Sequence, residues 1–267
     1  MKTQTFETVD LEVDGTIVTV RLNRPDRLNA LNVTMIEELT ELFRTANRDR
    51  SVSVVIMTGS GDRAFCSGAD LTQEQLGESG RYEQYLAEFY HPLLRSIVES
   101  PKPYIAALNG LVVGAGIGLA LACDYILAVP EVEFHMAFVR IALVPDTGVM
   151  SFVTNRIGRQ KAFDWAATGG IMLAEEALKA GLINGIAEKE RLTAELKKKA
   201  NTYANMPSTA VGLIKQMSHA ASTHSLEEML DLEKNLQERA ASQPDHMEGV
   251  RAFLEKRSPN FNRHSTD

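Results

Sequence analysis

The 267-residue chain carries 28 Lys and Arg against 35 Asp and Glu, a net charge of −7, and is 44% hydrophobic and 24% charged. That balance belongs to an ordinary globular protein with enough apolar residues for a sizeable core. It argues against non-specific nucleic-acid binding, which rests on a basic face, but leaves room for an anionic small molecule held by a few cations or a helix N-terminus.

The opening "MKTQTFETVDLEVDG" is acidic and lacks an apolar run, so no signal peptide is read there. "TIVTVRLN" (16–23) alternates as a half-buried strand does, and "RPDRLNALN" follows as a loop. Thr34 and Glu37 have the spacing of a capping box, opening a helix that runs to about Asp49. "VSVVIMTGSG" predicts a buried strand ending in a glycine turn, and 72–80 a mobile loop. A long amphipathic helix is expected over 81–99, stopped by "SPKP". "YIAALNG", "YILAV" and "VEFHM" read as strands, with a helix opening at "GAGIGLALACD" between the first two.

The most apolar stretch, 108–130, contains Asp124 and many small residues, and reads as buried strand–loop–helix–strand and not as a membrane span. From 151 onward the pattern is mostly helical, with helices alone expected in the last third, Gly181 closing one helix and a second capping box at Ser225 and Glu228. The expectation is an α/β core over 1–200 and a helical region over 201–267. The two cysteines, Cys66 and Cys123, form no metal-ligand or disulfide pattern, so a reducing, cytoplasmic setting without metal is expected.

Three segments invite a chemical reading. "GAGIG" places Gly114, Gly116 and Gly118 after a strand and at a helix start. Its spacing is not GxGxxG, so a dinucleotide turn is disfavoured. Close packing is the plain alternative; backbone N–H groups left free at the helix start, able to hold an oxyanion, are the functional one. "FCSGADL" offers the same resource, though Asp70 could simply cap a helix. "ALVPDTGVM" puts one acid, Asp146, in an apolar run: either Asp146 or Thr147 caps the next helix, or the acid does chemistry.

Taken together, "LNRPDRLNAL", "AFCSGADL", "SPKPYIAALNGLVVGAGIGLALACDYILA", "AEEALKAGLINGIAE" and "AFLEKRSPNF" resemble the crotonase, or enoyl-CoA hydratase/isomerase, superfamily, in order and along essentially the whole chain. The resemblance implies a spiral of ββα units with C-terminal helices used in trimerisation, as a homotrimer or dimer of trimers. It implies an acyl-CoA substrate with no separate cofactor, no nucleic-acid partner and no membrane. By motif position it implies an oxyanion hole made by the amides of Ala69 and Ala115. It further implies Ala30, Gly68, Asp70, Leu71, Gly114 and Phe138 as substrate-binding positions. Arg24 and Arg27 are candidates for the coenzyme phosphates, and Lys256 for reaching a neighbouring subunit's ligand. Leu76, Tyr82, Leu86, Phe89 and Tyr90 are expected around the acyl group, although core packing explains any one of them equally well. Asp124 has the look of a structural signature.

The two glutamates of the family's hydratases fall on Gly118 and Phe138, so both acids are missing. Asp146 stands where isomerases of the ring-epoxyphenylacetyl-CoA isomerase type carry an aspartate. A single carboxyl suits a double-bond shift, which moves one proton from C2 to C4; apolar neighbours such as Val144 and Val149 are expected to raise its pKa. A dehalogenase or hydrolase reading would make Asp146 the nucleophile and His91 the base, although Phe138 replaces the tryptophan expected there. His91 is otherwise a helix-face or acyl-pocket residue. A non-catalytic, CoA- or RNA-binding relative is the remaining class; Asp146 and the acidic charge speak against it.

Overall fold

The computed structural model describes residues 6–72 and 82–261. The chain opens as a hairpin, β1 (Val9–Asp14) and β2 (Ile17–Leu22), paired antiparallel across a two-residue turn led by Gly15 at φ +59°. Glycine takes that left-handed conformation without steric cost. Four further strands join β2 in parallel, giving the order β1–β2–β3–β5–β7–β10 with β3 at Val54–Gly59, β5 at Tyr104–Leu108, β7 at Tyr125–Ala128 and β10 at Gly185–Ile186. Every residue of β3 and β5 is buried, which explains their nearly continuous apolar sequences, broken in β3 only by Thr58: a parallel sheet covered on both faces has no polar side.

A second sheet runs β4–β6–β8–β9, from Ala64–Cys66, Leu111–Val113, Glu133–His135 and Ile171–Leu173. Successive strands alternate between the sheets: β3 then β4, β5 then β6, β7 then β8, each pair followed by helix. This is the expected spiral of ββα units. Two expectations are corrected. The last third is not helices alone, because β10 returns to the first sheet, as β9 before it does to the second. The cap of α1 (Val33–Arg48) is Asn32, whose Oδ1 accepts from the Met35 amide at 2.9 Å; the Thr34–Glu37 capping box does not form.

The segment expected as one helix over 81–99 is α2 (Tyr82–Tyr85), a wider π turn (Leu86–Tyr90) and α3 (His91–Val98). Then come α4 (Ala115–Leu121), a 3-10 turn over Ala137–Ile141, α5 (Val149–Ile157), α6 (Arg159–Thr168), α7 (Ala174–Lys179) and α8 (Lys189–Ala204). Gly181 follows α7 at φ +76°, as expected of a helix-ending glycine. Helices α9 (Ser208–Ala220), α10 (Leu226–Ala241, with the Ser225–Glu228 capping box) and α11 (Pro244–Leu254) close the chain. Lys215 on α9 reaches inward: its Nζ donates to the carbonyls of Ile97 (2.7 Å) and Lys102 (3.1 Å) and pairs with Asp124 at 2.8 Å. Asp124 also accepts from the Tyr104 amide, so its role here is structural, as expected. Among the described residues no helix is long and apolar enough to cross a membrane, and no cluster of metal-ligating side chains forms.

Candidate functional site

Two main-chain amides meet where the second sheet abuts α4. Leu31 donates to Gly68 O (2.8 Å) and accepts from the Asp70 amide (2.9 Å), a parallel bridge that turns the Ala69 N–H to the opposite side. Ala115 is the first residue of α4, where an N–H has no partner inside the helix. The segments lie close: a Cβ built on Gly68 would sit 3.5 Å from the Ala115 nitrogen and 2.8 Å from Val113 O, while one on Gly116 would sit 2.6 Å from Cys66 O. The glycines are therefore required for approach, and Gly68 and Gly114 also hold φ at +88° and +54°. Two small-residue turns thus bring two N–H groups side by side at a helix start.

Asp146 directly precedes Thr147, which packs on α4 at Gly118. Its residue is partly exposed, but Oδ1 is buried with no hydrogen-bond partner. Burial pushes the carboxyl up to about 6, more than the Thr147 hydroxyl and the field of His91 pull it down. The capping alternative fails: α5 is capped by Gly148 at φ +72°, with no side-chain bond. One expected cause is corrected too. Val149 is buried, but Val144 is 80% exposed and desolvates nothing.

Three more polar atoms share this condition. The hydroxyls of Tyr85, Tyr90 and Thr147 are buried without partners. The Tyr90 hydroxyl lies in the fields of Tyr85 and Asp146, and burial raises its pKa well above the usual phenol range. Tyr85 escaped the sequence reading, and Thr147 entered it only as a candidate cap, which the structure does not bear out. Tyr85 is out of regular helical phase with Tyr90, and Thr147 looks like an ordinary turn residue beside Asp146.

The remaining candidates scatter. Arg24 is not free for a phosphate: it pairs with Asp70 at 2.8 Å and donates to Ala30 O at 2.7 Å, bracing the turn that carries Ala69. Asp70 accepts from the Thr72 amide and hydroxyl and from Arg24, and among the described residues it caps no helix. Arg27 and Lys256 are exposed, and Leu71 is 58% exposed beside the amides. Phe138 is buried, its ring 3.8 Å from where a Gly114 Cβ would stand. A side chain at 118 is barred, since its Cβ would fall 2.3 Å from Thr147 O. His91 is exposed and lines a cavity of about 620 Å³ with Arg44, Arg48 and Arg95, on the outer side of α1 and α3. Tyr82, Leu86 and Phe89 pack partly buried against the core, whereas Leu76 and most of the expected 72–80 loop lie outside the described residues. Both cysteines are free and buried, with the Cys66 thiol pushed up to about 12, so neither offers a nucleophile.

The sequence profile of the enoyl-CoA hydratase/isomerase family matches residues 12–264. A 1,2-epoxyphenylacetyl-CoA isomerase of Escherichia coli is 37% identical over 252 residues, 93% of this chain and 96% of that protein. A probable enoyl-CoA hydratase of Rhodobacter capsulatus is 37% identical over 256 residues, 96% and 98% of the two chains. A crystal structure of an enoyl-CoA hydratase subunit from Geobacillus kaustophilus superposes with a TM-score of 0.91 at 33% identity, covering 96% and 98%. The relatives' names divide between isomerase and hydratase.

Proposed function

Because the chain belongs to the enoyl-CoA hydratase/isomerase family, we propose that it shifts a double bond within an enoyl-CoA thioester, with Asp146 as its single acid/base. The observation that carries this reading is the buried, unpartnered Asp146 Oδ1, whose carboxyl is raised to about 6. In this reading the carboxylate takes a proton from C2, and negative charge moves onto the thioester oxygen. The Ala69 and Ala115 amides receive that oxygen, and a lost donor of this kind typically costs about 3–4 kcal/mol of barrier. The carboxylic acid then returns the proton to C4 on the same face, ending as the carboxylate that began the cycle. No second acid is needed.

The alternatives fit less well. Hydration calls for a further group to manage water, and position 118 has no room for one. A nucleophilic Asp146 calls for a base, and His91 faces the outer cavity. The relatives named as hydratase and as isomerase of an epoxidised aromatic acyl-CoA leave the acyl group open, so 3-enoyl, 2-enoyl and aromatic esters belong in one substrate panel. The proposed assembly, a homotrimer or dimer of trimers, would cover apolar side chains such as Phe253 and Leu254, 82% and 73% exposed in the single chain.

The test is Asp146→Asn against His91→Gln. Asp146→Asn should keep acyl-CoA binding and lose at least about 100-fold in turnover, with His91→Gln near wild type. Undiminished isomerisation by Asp146→Asn would end the proposal; inactivity of His91→Gln would favour the nucleophilic reading.

A further inference from the structure

We propose that Thr147 is the positioning residue of this site: its left-handed backbone turns the Asp146 carboxyl over α4, and its buried hydroxyl serves as a switchable partner to that carboxyl. The proposal rests on the reading of Asp146 as proton carrier. Thr147 is 3% exposed and holds φ at +47°. A β-branched residue in that region is a genuine outlier, and such strain gathers where a site over-determines it. Glycine would adopt the same backbone freely, as Gly148 does one residue later at +72°. The threonine side chain therefore brings something that the turn itself does not require.

It is not a cap: the α5 N-terminus receives no side-chain bond. Neither its Oγ1 nor the neighbouring Asp146 Oδ1 has a partner of full hydrogen-bond geometry, yet the two lie close enough for the hydroxyl to pull the carboxyl down, so one turn buries a hydroxyl beside a carboxyl oxygen that only a rotation separates from a bond. The opposite wall is shaped to receive it. A Cβ at Gly118 would stand 2.3 Å from Thr147 O, 2.5 Å from its Oγ1 and 2.8 Å from its Cβ, so only glycine at 118 admits this turn.

The chemistry asks for such a group. During turnover the carboxyl is by turns an ion and an acid. A hydroxyl can rotate, donating to the carboxylate and accepting from the carboxylic acid, without carrying charge. Favouring the ion, it opposes the upward push of burial on the Asp146 pKa. The titratable groups that share the field of Asp146 are His91 on α3 and Tyr90 on the π turn.

The test compares Thr147→Val, Thr147→Ser and Thr147→Gly, reading kcat, KM and the acidic limb of the kcat/KM profile on a 3-enoyl-CoA ester, with melting temperature as the control. Thr147→Val should lower kcat by about 10-fold or more with KM little changed, and move the acidic limb upward by about half a pH unit or more. Thr147→Ser should restore both. Thr147→Gly, which relieves the backbone, should melt no lower than wild type yet show the same shifted limb, and it decides the matter if the valine variant does not fold. A glycine or valine variant with the wild-type limb and kcat, while Asp146→Asn is inactive, overturns the role of Thr147 alone. An active Asp146→Asn overturns this proposal together with the reading beneath it.

Discussion

A carboxylate held at Asp146 works against folding. Its pKa rises from 3.8 to about 6 on burial, so between those values the folded chain binds a proton that the unfolded chain has released. The stabilisation from this group is complete below the unfolded value and is lost as pH rises through about 6. From about two units, the loss comes to about 3 kcal/mol. Asparagine has no charge to desolvate. Asp146→Asn should therefore gain about 3 kcal/mol over wild type at pH 8 and almost nothing at pH 4; denaturant titrations across that range would show it, and a pH-independent difference would contradict it. In the same range wild-type kcat/KM should fall as pH drops below about 6, because the base becomes protonated. The identity of Asp146 was legible as an acid in an apolar run, but its surroundings were not. Val144 follows Leu143 in sequence yet faces outward, and Arg24 is drawn to Asp70, a pairing across 46 positions that no local pattern encodes.

Secondary structure was most legible where strands are long and buried. β2, β3 and β5 have five or six residues each, enough for alternation or an apolar run to register. β1 carries the same alternation in Val9, Leu11 and Val13. The second sheet is built from three-residue strands, too short for a period of two to stand out; only β8 fell inside a stretch read as a strand, "VEFHM", and the sheet as a whole could be inferred only through the family resemblance. The π turn was invisible for a related reason. Residues five apart on a regular α-helix lie roughly 140° apart, and the apolar spacing of 81–99 fits that helix well. In the structure His91 N donates to Leu86 O, one residue further than in an α-helix, and the rings of Tyr85 and Tyr90 approach to 5.7 Å. The wide turn brings both buried hydroxyls onto one side, as such turns often do near functional sites.

At the scale of the whole molecule, the expected division at residue 200 meets the side chain of Lys215. From α9 it supplies a cation and hydrogen bonds to Asp124, Ile97 and Lys102, all in the α/β region. Replacing it by methionine leaves two carbonyls and a carboxylate without their partner. The cost should be about 3 kcal/mol, the low end for a broken buried pair because the carboxylate keeps some contact with water. The melt of Lys215→Met should remain a single transition at lower temperature; two separate steps would show that the terminal helices detach on their own.

The same lysine sets an order on biosynthesis. A chain made from its N-terminus completes the strands of both sheets well before residue 215 has been added, and until then Asp124 has no cation and the Ile97 carbonyl no ammonium donor. A nascent chain halted before α9 should remain open to protease, and one extended well past α9 should become resistant, so the centre of this protein closes only when its late helices arrive.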